Sequence, residues 1–175
     1  MSKEIERKFL VNEQSQVFKA LIDSLTGENI SQGYLSTDFN KTVRVRRADS
    51  GSTITIKGKQ IGVTRPEFEY EIPNEDAEEM LALCKAQLEK VRFRTDAGNG
   101  LTWEIDIFGG SNKGLIVAEI ELPSEDTYFE VPEWLGQEVS QDMRFQNLNI
   151  AQFSYRTWNM IEKKELDKLK TVKPK

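Results

Sequence analysis

Apolar and charged residues alternate along most of this chain with a period of two, the spacing of strands with two unlike faces. Over residues 3–11, Glu4, Glu6 and Lys8 fall on one side and Ile5, Arg7 and Phe9 on the other. The period then changes. Phe18, Leu21, Ile22 and Leu25 stand at i, i+3, i+4 and i+7, which predicts an amphipathic helix, and Gly27 is placed to stop it. Strand-like runs follow over 30–36, 42–47, 52–59 and 64–72, with Asp49-Ser50-Gly51 as a hairpin turn. Pro73 ends this series. Asn74 is the predicted N-cap of a second helix, Glu75 and Asp76 suit its positive end, and Met80, Leu81, Cys84 and Leu88 are its predicted buried stripe. Period two then returns three times. Lys90, Arg92 and Arg94 alternate with Val91 and Phe93, Glu104 and Asp106 with Trp103, Ile105 and Ile107, and Glu119 and Glu121 with Ala118, Ile120 and Leu122. After Pro123 the pattern weakens. Ser124-Glu125-Asp126 is a candidate start for a short helix, and residues 147–170 read as one long helix, with Trp158, Ile161, Leu166 and Leu169 as packing positions.

About eight short strands separated mainly by tight turns predict a barrel or a sandwich. All but the run over 30–36 carry ionisable residues on one alternate face. Periodicity by itself is satisfied by an ordinary antiparallel sheet with its charged face in water. Composition points the other way. Like charges recur two apart, at Glu4/Glu6, Arg44/Arg46, Glu67/Glu69, Lys90/Arg92, Glu104/Asp106 and Glu119/Glu121. Two such groups sit about 7 Å apart on one face and repel. Curling the sheet so that acid pairs face base pairs relieves the repulsion, and the apolar face then turns outward under the helices. The expected architecture is therefore α+β: an eight-stranded antiparallel closed β-barrel, or tunnel, with a charged interior and flanking helices. An interior of that size holds side chains and one small ligand. The chain reads as a single domain over 1–175, with barrel and flanking helices over 3–153 and a C-terminal helix and basic tail over 154–175.

Composition narrows the chemistry. The 175 residues carry a net charge of −5, which argues against a general nucleic-acid binder. The tail from Glu162 to Lys175 is locally basic, with six lysines against three acids. There is no histidine, which removes Ser-His and Cys-His catalysis and imidazole metal sites. A metal would have oxygen ligands, favouring magnesium, manganese or calcium, and a general base would be Lys, Asp, Glu, Tyr or water. The single cysteine, Cys84, allows no intrachain disulfide and is expected on the apolar side of a helix. The sequence shows no secretory or membrane-spanning apolar run, so a cytoplasmic protein without a membrane partner is expected. A charged interior of this kind suits polyphosphate hydrolysis. Lys and Arg neutralise phosphate oxygens, carboxylates hold a hard cation, and a lysine with lowered pKa can take a proton from water.

The segment Glu4-Ile5-Glu6-Arg7-Lys8-Phe9-Leu10-Val11 resembles the signature of the CYTH, or triphosphate tunnel metalloenzyme, superfamily. Later elements extend the resemblance in order: Gln32-Gly33-Tyr34-Leu35, Val43-Arg44-Val45-Arg46, Thr55-Ile56-Lys57, Arg65 before Glu67 and Glu69, Glu89-Lys90-Val91-Arg92, Glu104-Ile105-Asp106, Glu119-Ile120-Glu121, and 138–147 with Arg144. It spans residues 3–153, and the length and opening look most like the short bacterial-type inorganic triphosphatases. The resemblance implies a magnesium- or manganese-dependent enzyme of eight antiparallel strands that acts on triphosphates. It assigns metal binding to Glu4, Glu6, Glu119, Glu121 and Asp106, with Glu104 in support. Phosphate binding goes to Lys8, Arg44, Arg46, Lys57, Arg92 and Arg144, with Tyr34 either at the terminal phosphate or packed at the rim. Lys90 would be the base or water-orienting residue, and Glu67 and Glu69 would order the basic side chains or assist a second metal. Met143 departs from some relatives, which carry a basic residue before the position of Arg144; this implies either a looser phosphate grip there or a different chain-length preference.

The expected reaction is divalent-metal-dependent hydrolysis of inorganic triphosphate to pyrophosphate and phosphate. Class IV adenylyl cyclase and thiamine or nucleoside triphosphatase remain open on the same fold. So does a non-enzymatic polyphosphate-binding module that would need no metal. The expected partner is a small-molecule triphosphate, not nucleic acid, and a homodimer is an open possibility.

Overall fold

The computed structural model describes residues 5–59 and 66–175. The strands are β1 (Ile5–Val11), β2 (Glu28–Ser36), β3 (Thr42–Ala48), β4 (Gly51–Lys57), β5 (Glu67–Ile72), β6 (Ala86–Gly98), β7 (Leu101–Phe108), β8 (Ile116–Leu122) and β9 (Leu135–Glu138). They form one antiparallel sheet in the order β5-β4-β3-β2-β6-β7-β8-β1-β9. Among the described residues there are nine strands rather than eight. The extra one, β9, has four residues and pairs with β1 across a register shift, too short for alternation to reveal it. Among the described residues β5 and β9 are the edges, and no pairing closes the sheet.

The helices are α1 (Gln16–Ser24), α2 (Asn74–Leu83), α3 (Asn147–Gln152) and α4 (Met160–Leu169). Ser15 caps α1 by accepting from the Phe18 amide. In α2, Pro73 is the N-cap and Asn74 the first helical residue; the Asn74 side chain instead accepts a hydrogen bond from Ser52 Oγ. Cys84 is the C-cap of α2 and is buried, whereas Leu88 belongs to β6 and not to this helix. The long C-terminal helix is broken. A 3-10 turn at Tyr155–Thr157 separates α3 from α4, and an Asn159–Glu162 capping box starts α4 anew. No helix forms at Ser124–Asp126, where the chain bends and turns.

The two sheet faces are packed differently. On the apolar face, Phe9, Trp103, Ile105, Ala118 and Ile120 are covered by Phe18 of α1 and by Phe129 and Trp134 of the segment before β9. Edge-to-face contacts tie Trp103 to Phe9, Phe129 and Trp134 at 5.5–5.7 Å. Helix α2 covers β2–β4. It lies so close that a Cβ on Gly33 would stand 2.7 Å from Cys84 Cβ, so glycine is required there.

The opposite face is charged for part of its length and then turns apolar. Leu10 follows Lys8 on β1, Leu88 precedes Lys90 on β6, Phe108 follows Asp106 on β7, and Val117 precedes Glu119 on β8. These four residues pack with Phe145, Ile150 of α3 and Leu166 of α4 into a second core. The C-terminal helices thus plug one end of the charged face.

Candidate functional site

The charged part of the sheet lines a cavity of about 830 Å³. Its walls draw on β5 at one edge of the sheet and on β1 near the other, and the segment Val139–Leu148 completes them. The register explains the grouping. Across β1, β8 and β7, Lys8 stands opposite Glu119 and Glu119 opposite Glu104; across β6 and β7, Arg92 stands opposite Asp106 and Arg94 opposite Glu104. Across β2–β5, Arg44 stands between Tyr34 and Thr55, and Arg46 between Gln32 and Thr53.

Lys8 Nζ lies 2.9 Å from Glu119 Oε1 and 3.7 Å from Glu6 Oε1, and donates to the Phe145 carbonyl at 3.1 Å. Burial opposes its charge, but Glu119 and Glu6 outweigh burial and hold the ammonium above its ordinary pKa. Arg92 donates from Nε and Nη2 to the two oxygens of Asp106 at 2.7 Å each, reaches Glu119 Oε2 at 3.1 Å, and also pairs with Glu104. Lys90 Nζ donates to Asp106 Oδ2 at 2.5 Å. Burial opposes ionisation of Asp106, but Lys90 and Arg92 hold it well below the usual carboxylate range. Burial, aided by Arg92, pushes Lys90 below the ordinary lysine value, against the pull of Asp106.

Arg46 differs from these. It lines the cavity, its buried Nε has no partner, and it enters no ion pair among the described residues. Burial, with Arg44 and Arg92 nearby, lowers it to about 10. Arg44 is tied more loosely, donating to Thr55 Oγ1 at 3.1 Å and lying 3.5 Å from Glu69, which accepts from Thr55 at 2.8 Å. Lys57 pairs with Glu67 at 3.1 Å.

The structure therefore brings Glu6, Lys8, Tyr34, Arg44, Arg46, Lys57, Arg92, Glu119 and Glu121 to one cavity, together with Glu67, Glu69 and Glu104. Glu4 and Arg65 lie outside the described residues. Three of the expected site residues do not line the cavity. Lys90 and Asp106 lie beneath its floor, with side chains wholly removed from solvent (0% exposed), at the seam with the apolar plug. Arg144 belongs to a 3-10 turn, pairs with Asp142 at 2.7 Å and stacks over Trp158 at 5.3 Å. Its guanidinium is thus engaged away from the lining, although Asp142 itself lines the cavity. Sequence reasoning missed the buried Thr55, which joins Arg44 to Glu69. It also gave no role to Gln32, which donates to the Tyr34 hydroxyl at 3.3 Å and keeps a buried, unpartnered carbonyl oxygen. An uncharged residue on a charged face carries no pairing signal; its place between charged neighbours in the register is what identifies it.

For a cation, the donor set is all oxygen. Glu6 and Glu121 face each other directly across β1 and β8, and both line the cavity. Like charges placed directly opposite destabilise a strand pair, and a hard divalent ion suits two such carboxylates. Among the described residues no group of three acidic, cysteine or histidine side chains forms a closed metal cage. Asp106 is not placed to contribute, since Lys90 and Arg92 hold both its oxygens.

The CYTH domain family matches residues 2–155. The chain belongs to this family. It is 42% identical over 160 residues to an inorganic triphosphatase from Acetivibrio thermocellus, covering 90% of this chain and 99% of that relative. It is 32% identical to one from Nitrosomonas europaea, over 85% of this chain and 96% of the relative. A crystal structure of an inorganic triphosphatase superposes with a TM-score of 0.63 at 31% identity, covering 86% of this chain and 95% of that one. The fold is thus the CYTH-like antiparallel sheet with flanking helices, and the likeness extends over the strands that carry the cavity.

Proposed function

We propose that this CYTH protein is a divalent-metal-dependent triphosphatase that hydrolyses inorganic triphosphate to pyrophosphate and phosphate. The observation that carries the reading is Arg46, a half-buried guanidinium facing the cavity, with a buried, unpartnered Nε and no ion pair among the described residues. Desolvating a cation and leaving it unpaired is costly unless an anion completes the site. A compact polyanion satisfies Arg46 and its loosely tied neighbour Arg44 together. The names of the relatives support hydrolysis of triphosphate rather than cyclisation or passive binding.

In this reading Lys8, Arg44, Arg46, Lys57 and Arg92 surround the phosphoryl oxygens on which negative charge lies in the transition state. The charged sheet face closes around the substrate as a tunnel; the sharing of one cavity by β5 and β1 supports that curvature. Glu6 and Glu121, with Glu4, and with Glu119 once the substrate draws Lys8 or Arg92 off its oxygens, would hold Mg²⁺ or Mn²⁺, which would neutralise phosphate oxygens and polarise the phosphorus under attack. Tyr34, whose phenol is kept protonated by burial against the pull of Arg44 and Lys8, can hydrogen-bond the terminal phosphoryl group or the incoming water. Water adds one oxygen to the terminal phosphorus as the bridging P–O bond breaks, and pyrophosphate leaves with the bridging electron pair.

Lys90 is the proposed base. Its proton affinity is lowered, whereas Lys8 is held charged. To act on water its amine would have to leave Asp106 and turn toward the cavity on substrate binding; catalytic hydrogen bonds commonly form only in the substrate complex.

Phosphate release should be compared for triphosphate, ATP and thiamine triphosphate with Mg²⁺ or Mn²⁺. Fastest turnover of triphosphate is expected; faster ATP turnover, or cyclic AMP as a product, overturns the reading. Lys90→Ala should reduce kcat about 10²–10⁴-fold, and in the wild type kcat should rise with pH through a pKa below that of an ordinary lysine. Near-normal turnover of the variant removes Lys90 from the chemistry.

A further inference from the structure

A second cavity, of about 490 Å³, adjoins the first and shares Arg46, Glu69 and Arg94 with it. The charges on the two sides of Arg46 differ in sign. On the near side stand the cations of the proposed phosphate site. On the far side the cavity has only Arg46 and Arg94 against Glu28, Glu69 and Glu71. Arg94 is already committed, to Glu28 at 2.7 Å and Glu104 at 3.0 Å, and Glu69 is drawn toward Arg44. Glu71 enters no ion pair among the described residues. The register sets Arg46, Thr53 and Glu71 side by side across β3, β4 and β5. Two strand spacings, roughly 10 Å of backbone, separate the unpaired cation from the unpaired acid, and the Thr53 hydroxyl between them is itself buried without a partner.

We infer that this second cavity is a chain-length filter, in which Glu71 rejects the fourth phosphoryl group of a linear inorganic polyphosphate. The inference rests on the triphosphatase reading of the first cavity. A phosphoryl group held by Arg46 is the last one that meets net positive charge. A further unit directed past Arg46 enters space whose cations are already paired and whose free charge is the Glu71 carboxylate. Repulsion between two anions in a partly enclosed space is strong enough to set a preference. Glu71 is exposed and lies outside the catalytic and phosphate-binding set, so changing it should leave triphosphate turnover intact.

The experiment measures kcat/KM for inorganic triphosphate and tetraphosphate in the wild type, Glu71→Gln and Glu71→Lys, with Mg²⁺. The wild type should prefer triphosphate. The tetraphosphate-to-triphosphate ratio should rise about threefold in Glu71→Gln and roughly tenfold in Glu71→Lys, with triphosphate values unchanged. Added salt should narrow the gap between wild type and Glu71→Lys, because it screens the exposed carboxylate. If the wild type hydrolyses triphosphate and tetraphosphate equally well, or if the ratio is the same in all three proteins, the filter is disproved while the triphosphatase reading stands. If no protein hydrolyses triphosphate, the underlying reading itself fails.

Discussion

The inward face of the sheet contains two interiors built from the same strands. On one side of the seam stand Lys8, Arg92, Glu104 and Glu119; on the other, Leu10, Leu88, Phe108 and Val117. Backbone pairing runs through both without interruption on β1, β6, β7 and β8. The apolar half is covered by Ile150 and Leu166 of α3 and α4, while the charged half keeps open space. The contrast shows that the strands supply only a scaffold. Side-chain chemistry decides which stretch is a core and which is a vessel.

The seam is where this contrast is easiest to break. Asp106 accepts from Lys90 and Arg92 with no access to water, so Asp106→Asn leaves two buried cations short of a counter-charge. It should cost about 3–5 kcal/mol in urea unfolding, part of which a second change, Lys90→Met, should restore. A loss below about 1 kcal/mol would show that the pair does not hold the two halves together. On the apolar side Phe108→Ala should also cost about 3–5 kcal/mol through the cavity it leaves. Here Phe108→Leu, and not a charge change, should recover most of the loss.

Acid should separate the halves as well. Asp106 and Glu119 have folded pKa values depressed below the ordinary range, mainly because nearby cations overcome burial. The unfolded chain takes up these protons near pH 4, and the folded chain does so only at lower pH. Their contribution is therefore complete above about pH 4 and is lost as pH falls toward the folded values. Melting temperatures between pH 2 and 7 should decline steeply at the acid end, and more gently in Asp106→Asn. Equal slopes would contradict this assignment.

The smallest effect should have the opposite sign. Arg46→Met removes an unpaired, mostly buried cation, so it should raise stability by about 1 kcal/mol while raising the KM for triphosphate. Loss of stability would mean that Arg46 has a structural counter-ion in solution.

Much of this division was legible in the sequence, although its limits were not. Period two identified the charged face, and the like-charge pairs indicated that this face turns inward, because Glu6, Arg44 and Glu119 need opposite charges nearby. Leu10, Leu88, Phe108 and Val117 occupy the same alternate positions as the charged residues. Nothing local distinguishes an apolar residue that plugs the interior from one that merely ends a strand; the difference depends on Phe145, Ile150 and Leu166, distant in sequence. Arg144 was hidden by local geometry instead. Its capture by Asp142 and Trp158 depends on how a 3-10 turn aims the side chain, and alternation carries no information about that. Leu88 was assigned to α2 because i+4 spacing from Cys84 fits a helix, but β6 begins at Ala86 and pairing with β2 prevailed. β9 escaped notice because four residues show no period.

The seam also has a consequence for descent. Because the boundary lies level on β1 and β8 and steps by one alternate residue to β7 and again to β6, it can shift without rebuilding any hairpin. Exchanging Val117 and Leu10 for polar residues would deepen the vessel by one rung, and exchanging Lys8 and Glu119 for apolar ones would make it shallower. Reaction volume in such a scaffold is an inheritable quantity adjusted in two-residue steps, while the path of the chain stays the same.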